Sequence, residues 1–357
     1  MQHLIDLNSL SPEQLYEIVD MAGRISQNPS HYAEACKGKI MATLFYEPST
    51  RTQMSFQSAM LRLGGSIIGF DNPSGSSVAK GESLKDTIRV VSGYSDVVVI
   101  RNPNEGAALA SSLYSKVPVI NAGDGGHLHP TQTLTDIVTL HNIKGRTENL
   151  TIGLCGDLLN GRTVHSLIKT MCKFKGNSFV LISTPKLGLP DYIKELLDEA
   201  GCPYKELTSL HKAIEELDVL YMTRIQRERI SSDAEYEAQR GIYILDAKKL
   251  EAAKPDLCIL HPLPRVDEIE VEVDDDPRAC YFLQAEYGMF ARMALLVTML
   301  VKDSDIGTTE KEGKVKITVD STKCLNPRCI TRKEHYLPNR SLQIGEAIAC
   351  EYCEHRI

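Results

Sequence analysis

Ser49-Thr50-Arg51-Thr52 places three hydroxyls and a guanidinium on successive residues, directly after the apolar run 40–45 and Tyr46-Glu47-Pro48. Phe56, Met60 and Leu63 follow at helical spacing and Gly64-Gly65 closes the segment, so these residues open a helix. A helix N-terminus offers unpaired N–H groups and the positive end of the dipole. With hydroxyls and an arginine added at the same place it becomes a phosphate site. Plain N-capping by Ser49 or Thr50 would need neither Arg51 nor Thr52, and the chain has no G-x-x-x-x-G-K-[ST] loop.

Other chemistry-bearing residues also follow apolar runs. Arg101 comes after 97–100, and His127-Leu128-His129-Pro130-Thr131-Gln132 comes shortly after 117–120. Asp157 and Arg162 follow 152–155, Arg224 and Gln226 follow 219–222, and His261-Pro262-Leu263-Pro264 follows 258–260. In open α/β sheets ligands bind beyond the carboxyl ends of strands. Arg51, Arg101, Arg162 and Arg224 at such ends, with few acids nearby in sequence, imply a cationic cleft for substrates carrying several negative charges. The competing structural roles are an ion pair of Arg162 with Glu47, and capping by His129 of the helix after Pro130.

The elements that must position these residues show in the same pattern. Apolar runs at 40–45, 97–100, 117–120, 152–155, 179–182, 219–222, 242–245 and 258–260 have strand length, and amphipathic stretches such as Val164/Leu167/Ile168/Met171 lie between most of them. This alternation predicts an α/β fold with two similar-sized domains, each a mainly parallel sheet flanked by helices. Ser11-Pro12 starts an opening helix, and Pro130 to Ile143 reads as one helix before the pattern restarts. The expected organisation is a domain over 1–130, rejoined by an apolar helix at 284–302, and a second over 131–283. The acidic run 267–276 reads as a solvated loop. The polar stretch 303–314 reads as a linker, and 315–357 as a small C-terminal β module.

The 357 residues are 42% hydrophobic and 24% charged, ordinary for a globular protein. A net charge of −7 argues against nucleic acid as the main partner. No apolar run is long enough to span a bilayer, and Asp6, Glu13 and Glu17 stand where a signal peptide would be basic and then apolar, so a cytoplasmic location is expected. Cys36, Cys155, Cys172, Cys202, Cys258 and Cys280 are scattered and read as reduced core residues. Cys324, Cys329, Cys350 and Cys353 differ: as C-x4-C-x20-C-x2-C they can supply a closed, all-thiolate shell for one structural zinc per chain. A nucleic-acid-binding zinc ribbon is the alternative, favoured by Lys323, Arg328, Arg332, Lys333 and Arg340.

The segments FYEPSTRTQMSFQSAMLRLGG, SSVAKGES, HPTQTLTD, GDLLNGRTVHSL, TRIQRER and HPLPRVDEI, in this order over residues 4–301, resemble aspartate transcarbamoylase catalytic chains. The resemblance implies carbamoyl transfer from carbamoyl phosphate to L-aspartate, in pyrimidine synthesis, with no cofactor for the chemistry. It assigns the phosphate to Ser49, Thr50, Arg51 and Thr52, and the carbamoyl carbonyl oxygen to Thr52, Arg101 and His129. Gln132 and the backbone carbonyls of Pro262 and Leu263 would hold the carbamoyl NH2. Lys80, Arg162, Arg224 and Gln226 would bind aspartate. Ser76 (with Ser77 as the other choice) and Lys80 would reach in from a neighbouring subunit, making a homotrimer with shared sites and room for higher assembly. The nearest competitor is transfer to ornithine or another amine, but that family carries His-Cys-Leu-Pro where this chain has His261-Pro262-Leu263-Pro264, and Lys80 would repel a cationic substrate. KCLNPRCI and ACEYCE resemble the zinc domain of the regulatory chain of the same enzyme, so the chain reads as a fusion. On that reading neither membrane nor nucleic acid is a partner.

Overall fold

Valine, isoleucine and leucine fill the centres of the first sheet because both its faces are covered. In a computed structural model, which describes residues 3–230, 232–301, 318–319, 323–344 and 347–357, this sheet consists of β1 (Ile40–Phe45), β2 (Ser66–Phe70), β3 (Val97–Asn102) and β4 (Val119–Asp124). All pairs are parallel, in the order β2-β1-β3-β4. The opening helix Pro12–Gln27 begins with a capping box between Ser11 and Gln14 and buries Leu15, Ile18, Val19 and Ala22. Helix Thr50–Arg62 buries Phe56, Ala59 and Met60.

The second sheet repeats the plan with β5 (Thr151–Cys155), β6 (Ser178–Ile182), β7 (Tyr204–Leu207), β8 (Val219–Met222) and β9 (Cys258–Leu260). The order is β7-β6-β5-β8-β9, again all parallel. The chain divides into two compact units, Met1–Thr131 with Met289–Ile357, and 132–288. Helix Pro130–Lys144 and helix Tyr281–Leu300 carry the chain from one unit to the other.

Several expectations need correction. The run 242–245 forms no strand; Leu245 makes a single bridge to Ile269. The acidic run is not merely solvated: Glu268 and Val273 are buried, and Val271–Asp275 forms a 3-10 turn. Its carboxylates have partners in the fold, Glu268 with His261 and Asp274 with Arg265. The last apolar helix starts at Tyr281, earlier than its periodicity suggests.

The C-terminal module is a small antiparallel sheet of β10 (Thr318–Val319), β11 (Arg340–Ile344) and β12 (Ala347–Cys350). The expected linker 303–314 lies outside the described residues. Ile330, Leu337, Tyr352 and the tail's four cysteines pack into one core with Leu84, Ile88, Ala107, Ala108 and Ala110 of the first unit. No described helix is long and apolar enough to cross a membrane.

Candidate active site

Sheet order decides where ligands can reach. In the first unit the chain leaves β1 for β2 on one side, and β3 pairs on the other, so the loops after β1 and β3 part at a topological switch point. Phe45 pairs with Arg101 in register, which puts the helix-opening Ser49-Thr50-Arg51-Thr52 and Arg101 beyond the same strand ends. Ser49 is the N-cap position of Thr50–Arg62, yet its side chain makes no capping hydrogen bond. Plain capping by its side chain therefore does not explain the residue.

Arg101 is largely buried and Nη2 pairs with Glu47 Oε1 at 2.7 Å, while Nη1 lies 3.3 Å from both Ala122 O and His129 Nε2. Burial pulls the Arg101 pKa down, Glu47 opposes this, and the Arg51 charge lowers it further, so the two cations repel each other across a shared space. An anion between them would relieve that repulsion. Gly123, at φ 121°, keeps this approach open: a Cβ there would lie 3.0 Å from Arg101 Nη1. Lys80 is exposed at the end of the turn Ser77–Lys80. The Ser76 hydroxyl caps that turn, donating to Pro73 O at 2.8 Å and accepting from Val78 N at 3.3 Å, and Ser77 is exposed.

The loop that carries His129 is organised by Asp124. This buried carboxylate accepts from Gly106 N at 2.8 Å and Leu128 N at 3.0 Å, and lies 3.1 Å from His127 Nδ1. Burial disfavours the His127 imidazolium, but Asp124 and Glu354 outweigh it and push the pKa up to about 10.

The second unit has its own switch point, between β5 and β8. Cys155 pairs with Met222, so Arg162, which opens helix Arg162–Met171, and Arg224 and Gln226 all come from loops that leave adjacent strand ends. Asp157 is buried under these loops and accepts from Asn160 N at 3.0 Å and Gln226 N at 3.3 Å. Burial raises its pKa, against the hydrogen bonds and the Arg224 charge. Pro262 and Leu263 follow β9, next to β8. Leu263 N donates to His261 Nδ1 at 2.8 Å, which leaves Nε2 to donate to Glu268 at 2.6 Å and holds Leu263 at φ 52°. Gln132 Nε2 donates to the buried Asp136 at 2.8 Å, and Gln284 and Tyr221 donate to the same carboxylate. A carboxylate only accepts, so it turns the Gln132 carbonyl oxygen outward as an acceptor.

The four tail cysteines are all buried, and their sulfurs lie within 4.8 Å of one another. A tetrahedral Zn–S length of about 2.3 Å needs S···S edges of about 3.8 Å. Cys324–Cys353 at 3.5 Å and Cys329–Cys350 at 3.8 Å fit that shell. Hydrogen bonds from Cys350 and Cys353 lower the Cys329 thiol, while the thiols of Cys324, Cys350 and Cys353 are raised. The cluster could hold a metal ion.

Known proteins carry the same organisation. The carbamoyl-phosphate-binding domain of aspartate/ornithine carbamoyltransferases matches residues 2–142, and the Asp/Orn-binding domain of the same enzymes matches 148–299. The aspartate carbamoyltransferase catalytic subunit of Clostridium novyi is 56% identical over 299 residues, 84% of this chain and 98% of the relative. The chain belongs to the aspartate carbamoyltransferase catalytic subunits. The solved catalytic subunit of M. jannaschii aspartate transcarbamoylase is 46% identical with a TM-score of 0.79, over 84% of this chain and 98% of that one. The Trypanosoma cruzi aspartate transcarbamoylase solved with N-(phosphonacetyl)-L-aspartic acid is 37% identical, also with a TM-score of 0.79, over 84% and 96%. The activity is carbamoyl transfer from carbamoyl phosphate to L-aspartate, which fits pyrimidine biosynthesis. Transfer to ornithine is thereby set aside.

Sequence reasoning missed Asp136, Asp124 and Glu268, the buried carboxylates that orient Gln132, the His129 loop and the 261–263 turn. An acid just inside an apolar helix, as at Asp136, was the available signal.

Proposed function

We propose the following residue roles in carbamoyl transfer. Ser49, Thr50, Arg51 and Thr52 take the phosphate, and Thr52, Arg101 and His129 take the carbonyl oxygen. Gln132, with the Pro262 and Leu263 carbonyls, takes the carbamoyl NH2. Arg162, Arg224, Gln226 and Lys80 take the carboxylates of aspartate. The observation that carries this reading is the occurrence of cationic, helix-opening loops at both topological switch points.

Attack by the aspartate amine builds negative charge on the carbonyl oxygen and then on the departing phosphate. Fixed cations and N–H donors stabilise that charge more in the transition state than in the ground state. No nucleophilic side chain is required. A neutral His129 donating to the carbonyl oxygen suffices, and the leaving phosphate can take the amine proton.

The chain works as a cytoplasmic homotrimer in which Ser76 and Lys80 complete a neighbour's site. The cysteine module holds one structural zinc and serves assembly or stability. Its docking on the chain's own first unit through Arg328 and Glu105, with Arg340 paired to Glu351 inside the module, favours this over nucleic-acid binding.

Carbamoyl-aspartate formation by the purified chain, with ornithine assayed in parallel, tests the substrate assignment; faster carbamoylation of ornithine would overturn it. Lys80→Ala and Arg51→Ala chains, each nearly inactive alone, should regain activity when dissociated and mixed. Mixed trimers without recovery would place Lys80 in its own chain's site.

A further inference from the structure

The two loops that flank Arg101 and His129 are both held from outside by the C-terminal module. After β3, Glu105 is gripped on every polar group. Its N–H donates to Arg328 O at 2.9 Å, and its C=O accepts from Ile330 N at 2.9 Å. Its carboxylate takes Asn326 Nδ2 at 2.6 Å and Arg328 Nε at 3.0 Å. The next residue, Gly106 at φ 85°, has no room for a side chain, since a Cβ would lie 2.5 Å from Tyr352 Cβ and Tyr352 O. After β4, the loop to His129 is tied to the first loop through Asp124, which accepts from Gly106 N and Leu128 N. On the module side, His127 Nε2 faces Glu354 Oε2 at 3.6 Å.

We propose that the C-terminal module sets the geometry of the Arg101–His129 pair, with His127 and Glu105 as positioning residues held by Glu354, Asn326 and Arg328. The proposal rests on the carbonyl-oxygen role given above to Arg101 and His129. Glu105 lies four residues after Arg101 in the chain and His127 two residues before His129, so a loop that loosens at its outer contact moves the donors at its inner end. A displacement near 1 Å at such donors can cost up to about a hundredfold in rate.

The test uses the full-length chain and the variants His127→Gln, Glu354→Gln and the double substitution, with kcat, both KM values and Tm measured for each. Glu354→Gln keeps the size of an incompletely buried side chain and guards against a His127 variant that fails to fold. A positioning role gives a kcat about fivefold to twentyfold lower, with the aspartate KM changed less than about twofold. The double variant should lose no more than His127→Gln alone, because both act through one contact. Unchanged kcat with only a lower Tm overturns the proposal, and so do losses that simply multiply. Arg101→Ala separates the two layers of inference. If Arg101→Ala turns over like wild type, the carbonyl-oxygen reading fails. If it is inactive while His127→Gln and Glu354→Gln keep wild-type turnover, only the positioning proposal falls.

Discussion

Glu47 and Arg101 form an ion pair at 2.7 Å across the ends of neighbouring strands, with both side chains largely shielded from water. The pairing gives Glu47 a role inside the first unit, where the sequence offered it to Arg162. It holds one edge of the guanidinium, so that the other edge stays beside Ala122 O and His129. Glu47→Ala would leave a buried cation free to rotate, and turnover should fall about tenfold or more. Steady-state kinetics at saturating substrates check this, and a kcat within twofold of wild type would refute it.

Arg51 is exposed at the uncapped start of helix Thr50–Arg62, where partial desolvation lowers its pKa. Arg51→Ala should reduce turnover about 10²–10⁴-fold, roughly 3–5 kcal/mol of transition-state stabilisation, with the fold intact. Activity within threefold of wild type, in a protein with native circular dichroism, would remove it from the phosphate site.

Asp136 is fully buried and accepts from Gln132, Gln284 and Tyr221. In Asp136→Asn one acceptor oxygen becomes an NH2 donor facing other donors, which should cost about 1–3 kcal/mol of stability. The Gln132 amide would also lose its fixed orientation, so carbamoyl phosphate binding should weaken. Urea unfolding and calorimetric titration with carbamoyl phosphate read the two effects separately.

Strands flanked by others were legible because burial on both faces demands an unbroken apolar run; β1 and β8 match their runs residue for residue. The edge strands β2 and β7 were not. Tyr204-Lys205-Glu206-Leu207 has only one paired side and an exposed centre, so it carries little apolar signal. The proposed phosphate site stood out in the sequence because one short segment holds all its groups. Asp136 with Tyr221 and Glu105 with Asn326 are partners only after folding, separated by 85 and 221 residues.

His165 gives a pH signature. Burial lowers its pKa to about 4, against its hydrogen bond to Leu158 O, with Lys169 adding to the shift. Nε2 lies 2.8 Å from Leu158 O and Nδ1 lies 3.0 Å from the Tyr192 hydroxyl, so the neutral ring donates to one and accepts from the other. The unfolded chain binds this proton more readily than the folded one. Stability is therefore lost as pH falls from the ordinary value of 6.5 towards 4. The urea midpoint should drop more between pH 7 and pH 5 in wild type than in His165→Gln. Equal drops would show that the ring titrates normally.

The cysteine module lends itself to a metal-removal experiment. Four thiolates would fill the shell and leave no open position for substrate or water, so a bound zinc can affect activity only through the fold around it. The same cysteines share a core with Leu84, Ile88, Ala107 and Ala108, so losing the metal should loosen the first unit as well as the tail. Freshly purified chain should contain about one zinc per chain, and Cys350→Ala much less. The variant should melt at lower temperature and bind more of an apolar dye, because Ile330, Leu337 and Tyr352 would no longer cover their partners. Carbamoyl transfer in the fraction that stays folded should be reduced, not abolished. No metal in the wild-type chain would reject the site, and complete inactivity of a fully folded Cys350→Ala protein would reject a purely structural role.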